Sequence, residues 1–232
     1  MNSTGLLKTE RSRWLAILLF AALIRGMVVM ALFPNLADDP DSYRHLSENL
    51  ARVGVYGFAE KTNIDKWGGP RPTAYRPPLY PLVLSRLMDA NYQLSLYRVA
   101  LLHVLLGVGT VVLTLELAHR LKLASGGYLA AVLVSCDPIL LNQSALVMTE
   151  TLATFLAVVA LWCLVRLTQT PKIWKALIAG GALGLASLCR PTFLPWIALI
   201  AAAIPFVSSI SWAKRVGYLL VLLLGSSLIL LP

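Results

Sequence analysis

Long apolar runs separated by short polar connections dominate this sequence, and their lengths predict membrane helices. In chain order, the runs cover residues 14–33, 95–117, 128–141, 151–167, 176–188, 193–210 and 216–231. A helix needs about 20 apolar residues to cross a hydrocarbon core of roughly 30 Å. The runs are continuous, whereas the strands of a membrane barrel alternate apolar and polar residues. We therefore predict an all-α fold, a multi-pass transmembrane bundle of about seven membrane helices.

The longest polar segment, residues 34–93, follows the first run and is predicted to form an outer loop. Within residues 41–53, an apolar stripe of Tyr43, Leu46, Leu50 and Val53 recurs at helical spacing. Charged residues occupy the other face of the same stretch. A helix with one apolar face and one charged face lies along a membrane surface. This pattern predicts a short amphipathic surface helix in the first outer loop.

Prolines shape the remainder of this loop. Residues 61–72 are predicted to be loop. Pro77, Pro78 and Pro81 predict an extended or turning backbone, because proline fixes its own φ and restricts the residue before it. Such a backbone would hold Arg76 in a defined direction.

Two later runs contain helix-breaking or small residues. The third run is interrupted at Asp137-Pro138 and is predicted to break again near residues 142–144. The fifth run is rich in glycine, with Gly180, Gly181 and Gly184, which permits close packing of helices.

Composition supports a membrane protein and narrows its partners. Hydrophobic residues make up 58% of the chain and charged residues 13%, and the mean hydropathy is +0.73. The net charge of +9 arises from Lys and Arg in short connections. With seven crossings, the basic clusters at 8–13, 119–122, 166–175 and 214–215 all fall on one side. That pattern predicts a cytoplasmic N-terminus and argues against nucleic-acid binding.

The chain is predicted to be a single transmembrane domain over residues 1–232. Its first helix covers 14–33, its outer catalytic loop 34–93, and its remaining helices 94–232. The basic N-terminus is not interpreted as a signal peptide, because the first run is too long and lacks a small-residue cleavage site. Because the sequence ends directly after an apolar run, we expect it to be the N-terminal portion of a longer protein.

Charged residues on the outer side are the candidates for chemistry, since a bilayer penalises charges that are neither paired nor used. On this topology they are Asp38, Asp39, Asp41, Arg71, Arg76, Glu150 and Arg190. A carboxylate can accept a proton from an attacking hydroxyl, and arginine binds phosphate oxygens through charge-assisted hydrogen bonds. This combination favours transfer of a group away from a phosphate-bearing lipid.

Each candidate also has a structural interpretation. The acidic residues at 38–41 can stabilise the N-terminus of the amphipathic helix, and Glu150 can cap the helix that it begins. Arg76 can act as an interfacial anchor. Arg25, inside the first helix, is open to a structural or a functional role. His45 and His103 are expected to pack or face solvent rather than to bind metal.

Several motifs carry a family resemblance. They are Arg25 in the first helix, Asp38-Asp39-Pro40-Asp41-Ser42-Tyr43, Leu50, Gly54, Tyr75-Arg76-Pro77-Pro78-Leu79-Tyr80-Pro81, Met148-Thr149-Glu150-Thr151-Leu152 and Gly184-Leu185-Ala186-Ser187-Leu188-Cys189-Arg190-Pro191. In this order they resemble the membrane glycosyltransferases of the C-type fold. More narrowly, the chain resembles the branch that contains the dolichyl-phosphate-mannose protein mannosyltransferases and the lipid A aminoarabinose transferases.

The resemblance implies transfer of a sugar from a polyprenyl-phosphate donor, generally with inversion, at the outer or lumenal face. It implies that Asp39 is the catalytic base, because Tyr43 follows four residues later, with Asp38 as the runner-up. Arg76 matches the family's basic residue ahead of the paired prolines and would hold the donor phosphate. The implied substrate-binding residues are Arg76, Tyr75, Tyr43, Glu150 and Arg190.

The implied partners are a polyprenyl-phosphate sugar, membrane lipid, and a protein, lipid or glycan acceptor. Tyr75 stands where some relatives place an acid linked to a metal site, which argues against metal dependence. The resemblance to bacterial members favours a bacterial inner membrane, with an endoplasmic reticulum membrane as the alternative. The alternative functions are a transporter or lipid flippase, or a non-catalytic fragment that pairs with another membrane protein.

Overall fold

A computed structural model describes residues 3–58, 70–206 and 211–231, and within them it confirms the all-α membrane fold. The helices are α1 (Ser3–Ala31), α2 (Tyr43–Val53), α3 (Leu79–Ser85), α4 (Leu96–Arg120), α5 (Ser125–Cys136), α6 (Pro138–Gln143), α7 (Glu150–Gln169), α8 (Ile173–Cys189), α9 (Leu194–Ala203) and α10 (Trp212–Leu230). Short 3₁₀ turns cover Phe33–Ala37, Pro191–Phe193 and Ile204–Phe206. Two short strands, β1 (Gly57–Phe58) and β2 (Arg71–Pro72), pair antiparallel.

Four helices in the described part of the chain are long and apolar enough to cross a membrane. They are the Glu10–Ala31 part of α1, α4, α7 and α10. The apolar segments Ser125–Cys136, Ile173–Cys189 and Pro191–Ala203 are shorter. The chain is therefore an integral membrane protein, while seven crossings remain a prediction.

The amphipathic helix and the broken third run are confirmed. α2 covers Tyr43–Val53 and ends at Gly54, whose φ of 71° is the left-handed conformation that glycine adopts without strain. The third run divides at Asp137, and α6 ends at Gln143. Asp137 forms the boundary because its carboxylate accepts hydrogen bonds from the N–H groups of Ile139 and Leu140, both at 2.9 Å, while Pro138 cannot continue α5.

The extended or turning backbone predicted across the prolines is wrong from Leu79 onward. That segment forms α3, with Pro81 in its first turn. Proline is tolerated there because the first N–H groups of a helix have no intrahelical partner.

Two other predictions, one for a loop and one for an apolar run, differ in detail from the structure. Arg71–Pro72 pairs with β1 instead of remaining loop, whereas residues 61–69 of the predicted loop lie outside the described residues. The sixth run forms α9 followed by the 3₁₀ turn Ile204–Phe206, and residues 207–210 also lie outside the described residues.

The chain divides into two compact units. The first unit contains residues 1–41 and 95–151. Its core consists of Ala21, Val111, Leu115 and Ala131, contributed by α1, α4 and α5. The ring of Phe33 lies 4.8 Å from that of Tyr97, between centroids, and holds the turn after α1 against the start of α4.

The second unit contains residues 42–94 and 152–232. Its core is built from small and aliphatic residues of α7, α8, α9 and α10, among them Ala160, Ala179 and Leu222. α8 and α10 approach closely because Gly180 and Gly225 leave room for the partner backbone. In the same unit α2 packs against α3 and positions the polar cluster described next.

Candidate functional site

Arg76 lies between two tyrosine rings in the second unit. Its guanidinium carbon is 4.8 Å from the ring centroid of Tyr75 and 5.8 Å from that of Tyr43. Tyr43 in turn meets Tyr80 edge to face, with centroids 5.5 Å apart. We call Tyr43, Tyr56, Tyr75, Arg76 and Tyr80 the aromatic–arginine cluster. Stacking against aromatic faces limits the directions that a guanidinium can take.

Burial divides the cluster into a fixed floor and an accessible edge. Tyr43 is 3% exposed and Tyr80 is fully buried, because α2 and α3 pack their apolar faces together. Tyr75 is 74% exposed, and Arg76 is half-buried. The cluster therefore presents an arginine and one tyrosine ring at its accessible edge, supported by buried rings below.

Tyr56 fixes the backbone that carries Arg76. Its hydroxyl donates to the carbonyl oxygen of Arg76 at 2.8 Å and lies 3.4 Å from that of Pro77. Tyr56 thus supplies a donor to a segment whose prolines have no N–H groups of their own. The Tyr56 carbonyl also accepts from the N–H of Thr73 at 3.0 Å. The segment is thus held from two directions.

A small hairpin brings Tyr56 to this position. Gly57 in β1 is buried against β2, where a Cβ would collide with the carbonyl of Arg71. Asn49 of α2 donates to the Gly57 carbonyl at 2.8 Å. Because any larger residue at 57 would push the strands apart, this glycine is required for the hairpin and for the placement of Tyr56.

The pKa of Tyr56 is raised to about 12, mainly because the phenol is buried; the neighbouring Tyr43 contributes to the rise, and the charge of Arg76 opposes it. A phenol with a raised pKa keeps its proton under physiological conditions. Tyr56 therefore remains a hydrogen-bond donor to the Arg76 backbone across the physiological pH range.

The acidic residues proposed for proton transfer belong to the first unit. They follow the 3₁₀ turn Phe33–Ala37, where the N–H of Asp38 donates to the Asn35 carbonyl at 3.0 Å. Asp38 is exposed, whereas Asp39 and Asp41 are partly buried. Ser42, the next residue, has a φ of 61°, an uncommon conformation for a residue with a side chain. The acidic segment thus joins α2 through a tight, constrained turn.

Glu150 and Arg190 lie at helix ends, as their sequence context predicts. Glu150 is the first residue of α7, where a carboxylate interacts favourably with the positive end of the helix dipole. Arg190 follows α8, and its N–H donates to the Ala186 carbonyl at 2.8 Å. Both are partly buried. The position of Glu150 fits the capping interpretation given above, and both residues leave a charged group at a helix terminus.

Of the predicted site residues, the structure brings together Tyr43, Tyr75 and Arg76. Asp38, Asp39 and Glu150 belong to the first unit and Arg190 to the second. Sequence reasoning missed Tyr56 and the ring contact made by Tyr80. The signal available was the number of tyrosines in the outer loop, but the sequence did not show that a hairpin would return Tyr56 to the arginine.

A second polar cluster lies inside the first unit, and it decides the role of Arg25. Arg25 is 2% exposed. Its Nη2 donates to the carbonyl of Val134 at 3.1 Å, and its Nη1 donates to the Ser144 hydroxyl at 3.3 Å. In an uninterrupted helix the Val134 carbonyl would accept from the residue four positions on, which is Pro138 and has no N–H. Arg25 therefore satisfies a carbonyl that the break in the helix leaves open.

His103 supports the other end of the same break. It is fully buried, and its Nδ1 lies 2.9 Å from the carbonyl oxygen of Ser144, just after α6. Because a carbonyl only accepts, Nδ1 carries the proton that is donated. Arg25 and His103 thus hold backbone carbonyls on either side of α6, which gives both residues a structural role.

Comparison with known proteins identifies a family match. The sequence model of the family described as dolichyl-phosphate-mannose-protein mannosyltransferase matches residues 75–231, which begin at Tyr75 of the aromatic–arginine cluster. No curated protein matches the chain. Among the described residues there is no group of three or more His, Cys, Asp or Glu side chains arranged to hold a metal ion.

Proposed function

The chain belongs to the dolichyl-phosphate-mannose-protein mannosyltransferase family, a family of membrane glycosyltransferases, and on that premise we propose that it transfers a sugar from a polyprenyl-phosphate donor. The acceptor would be a protein, lipid or glycan at the outer face of the membrane. The observation that carries this proposal is the aromatic–arginine cluster, in which an oriented guanidinium lies at the start of the matched segment. Such a group is suited to an anionic phosphate.

Arg76 is assigned the donor phosphate. A guanidinium binds two phosphate oxygens through parallel hydrogen bonds, which a lysine cannot reproduce. The tyrosine rings limit the movement of the Arg76 side chain before substrate binds, and the hydrogen bond from the Tyr56 hydroxyl holds the Arg76 backbone. This preorganisation supports stabilisation of the negative charge that grows on the leaving phosphate as its bond to the sugar breaks.

The exposed ring of Tyr75 is assigned to the substrate edge of the cluster, and the buried Tyr43 to orienting Arg76. An aromatic ring that is 74% exposed offers an apolar face to a sugar ring or to the first isoprene unit. Glu150 and Arg190 are proposed as further charged groups of the donor site.

Asp39 is assigned as the base. It would take the proton from the acceptor hydroxyl or amine as the acceptor atom forms a bond to the sugar carbon and the bond from that carbon to the phosphate oxygen breaks. The electron pair leaves with the phosphate, and the configuration at the sugar carbon inverts. Asp39 is favoured over Asp38 because it is partly buried and so more restricted in position, whereas Asp38 is exposed.

The test is transfer of labelled sugar from a panel of polyprenyl-phosphate sugars in membranes that contain the chain. Asp39→Asn should lower the rate by about 100-fold or more, since removal of a general base costs about that factor. Asp38→Asn and Asp41→Asn should retain most activity. If all three variants transfer sugar at the wild-type rate, the assignment of the base is wrong.

Arg76 can be tested in the same membranes. Arg76→Gln should raise the donor KM and lower kcat. Arg76→Lys should have activity between that of Arg76→Gln and that of the wild type, because lysine offers a point charge without the paired N–H groups of a guanidinium. Arg52→Gln is the matched control, since Arg52 is an exposed arginine on α2 outside the cluster. If the membrane-inserted wild-type protein transfers sugar from none of the donors, the proposed function itself is wrong.

A further inference from the structure

The first unit contains a cavity of about 430 Å³ where α1, α4 and α5 meet. Three of its lining residues are apolar and buried, namely Leu115, Ala118 and Gly127. Its edge carries the exposed cations Arg13 and Lys122. We call it the basic-rimmed cavity. Its volume lies in the range of small-ligand sites, roughly 300–1,000 Å³.

The cavity lies at the end of two predicted membrane spans. One candidate span begins at Glu10, and another ends at Arg120. The cavity is lined by Glu10, Arg13, His119 and Lys122 from these two ends. Span ends lie at the level of the lipid headgroups. A ligand in the cavity would therefore be reached from the headgroup layer.

Aromatic residues complete the wall. Trp14 and Tyr128 are partly buried and pack against the core of the first unit. The guanidinium of Arg13 lies 5.8 Å from the ring centroid of Tyr128, which orients it over the cavity wall. Trp and Tyr concentrate at membrane interfaces because their rings are apolar and their N–H or O–H groups are polar. This combination suits a ligand with a charged head and apolar acyl chains.

The charge at the edge favours an anion. The lining contains the basic residues Arg13 and Lys122, and Glu10 is the acid among the lining residues. The nearby Glu116 and Arg120 form an ion pair at 2.6 Å and largely cancel each other. α5 also begins here, so the positive end of its dipole adds to the two cations.

We propose that the basic-rimmed cavity binds the phosphate headgroup of an anionic membrane phospholipid. Arg13 and Lys122 contact the phosphate, while Trp14 and Tyr128 pack on the glycerol and upper acyl region. Basic pockets between membrane helices recognise anionic headgroups in this way. The site lies apart in sequence from Asp39 and from the aromatic–arginine cluster, so it is additional to the proposed transferase function.

The test is native mass spectrometry of the purified chain titrated with phosphatidylglycerol or with phosphatidylcholine of the same acyl chains. The wild type should retain phosphatidylglycerol at concentrations where phosphatidylcholine dissociates. Arg13→Gln/Lys122→Gln should weaken phosphatidylglycerol binding by about 30-fold, which corresponds to the loss of two interfacial cations. The single variants should each show part of this loss and keep the proposal testable if the double variant does not fold.

Arg11→Gln is the matched control, because Arg11 is an exposed arginine on the same helix that does not line the cavity. It should bind phosphatidylglycerol like the wild type. An equal loss in Arg11→Gln would show general charge attraction and overturn the proposal. Equal retention of phosphatidylcholine by the wild type, an unchanged double variant, or displacement of the lipid by an equal concentration of inorganic phosphate would also overturn it.

Discussion

Single side chains in this protein supply hydrogen bonds to backbone carbonyl groups that the fold leaves without a partner. Arg25 donates to the Val134 carbonyl, whose helical partner is replaced by Pro138, and Tyr56 donates to carbonyls that precede prolines. Burying a carbonyl in an apolar environment without a hydrogen-bond donor costs on the order of several kcal/mol. A buried arginine is therefore accommodated where proline separates α5 from α6. The sequence located Arg25 in its helix, but it left the structural and functional interpretations open.

Gly107 makes the burial of Arg25 possible. A Cβ at this position would lie 2.6 Å from Nη1 and 2.7 Å from Cδ and Cζ of Arg25. Gly107→Ala should therefore lower the free energy of unfolding by about 1–3 kcal/mol, because a buried guanidinium would have to move from its carbonyl partner. Thermal unfolding in detergent measures this effect.

Gly26→Ala is the control for that substitution, because a Cβ there meets nothing within 4 Å. It should be neutral or slightly stabilising, since alanine favours a helix over glycine by up to about 1 kcal/mol. If Gly107→Ala unfolds at the same temperature as Gly26→Ala, Arg25 does not require the space that the structure assigns to it.

Tyr56→Phe should lower stability by about 1 kcal/mol, the usual size of one hydrogen bond, and should raise the donor KM by loosening the Arg76 backbone. Phe retains the ring, so the substitution isolates the hydroxyl. Unfolding temperature and transfer kinetics of the variant and the wild type, compared at neutral pH, measure the two effects. A wild-type unfolding temperature together with a wild-type donor KM would show that the hydroxyl does not hold Arg76.

The raised pKa of Tyr56 gives a separate test. An ordinary phenol loses its proton near pH 10, whereas the pKa of Tyr56 in the folded protein is about 12. The folded state then holds this proton more tightly than the unfolded state. Its contribution to stability is complete below about pH 10 and is lost as pH rises through about 12. The difference in phenolate absorbance between the wild type and Tyr56→Phe should rise with a midpoint near pH 12. A midpoint near pH 10 would contradict this prediction.

At the scale of elements, glycines in α8 and α10 determine how closely the two helices pack. A Cβ on Gly180 would collide with the Leu222 carbonyl, and a Cβ on Gly225 with the Leu177 carbonyl. Sequence composition predicted close packing for α8, because small residues let helix backbones approach. It did not identify α10 as the partner, since many helices in the chain have an apolar surface.

Gly180→Ala and Gly225→Ala should each separate α8 from α10 and lower the free energy of unfolding by about 1–3 kcal/mol. Gly217→Ala on α10 is the matched control, because its Cβ would enter open space. Unfolding temperatures of the three variants in one detergent decide the point. Equal temperatures for Gly180→Ala and Gly217→Ala would contradict the close approach.

At the scale of the whole molecule, the number of crossings is the main open prediction. α4, α7 and α10 and part of α1 are long enough to span. α5 has 12 residues, or about 18 Å of helix at 1.5 Å per residue, which alone is shorter than the membrane core of roughly 30 Å. Whether α5 and α6 together cross therefore determines the side on which every later segment lies.

Single cysteines in a background with Cys136, Cys163 and Cys189 replaced by alanine would establish the topology through labelling by an impermeant thiol reagent. On the seven-crossing prediction, cysteines at Lys122, Lys172 and Lys214 label from the cytoplasmic side. Cysteines at Ala74 and Asn142 label from the outer side. Labelling of Asn142 from the cytoplasmic side would show that α5 and α6 form a re-entrant segment.

The sequence by itself determined the membrane class, the helical fold, the amphipathic α2 and the break at Asp137-Pro138. These features follow from local periodicity and from proline chemistry, which neighbouring residues alone decide. It also indicated Arg76 as a candidate site residue, because charge is rare in such a chain, and the family resemblance added Tyr75 and Tyr43.

Only the tertiary structure showed that a hairpin returns Tyr56 to the Arg76 backbone, that Arg25 and His103 hold the two ends of α6, and that a cavity lies beside Arg13 and Lys122. Each of these contacts joins residues far apart in the chain. They depend on how helices pack and where turns direct the backbone, and no local pattern in the sequence specifies that geometry.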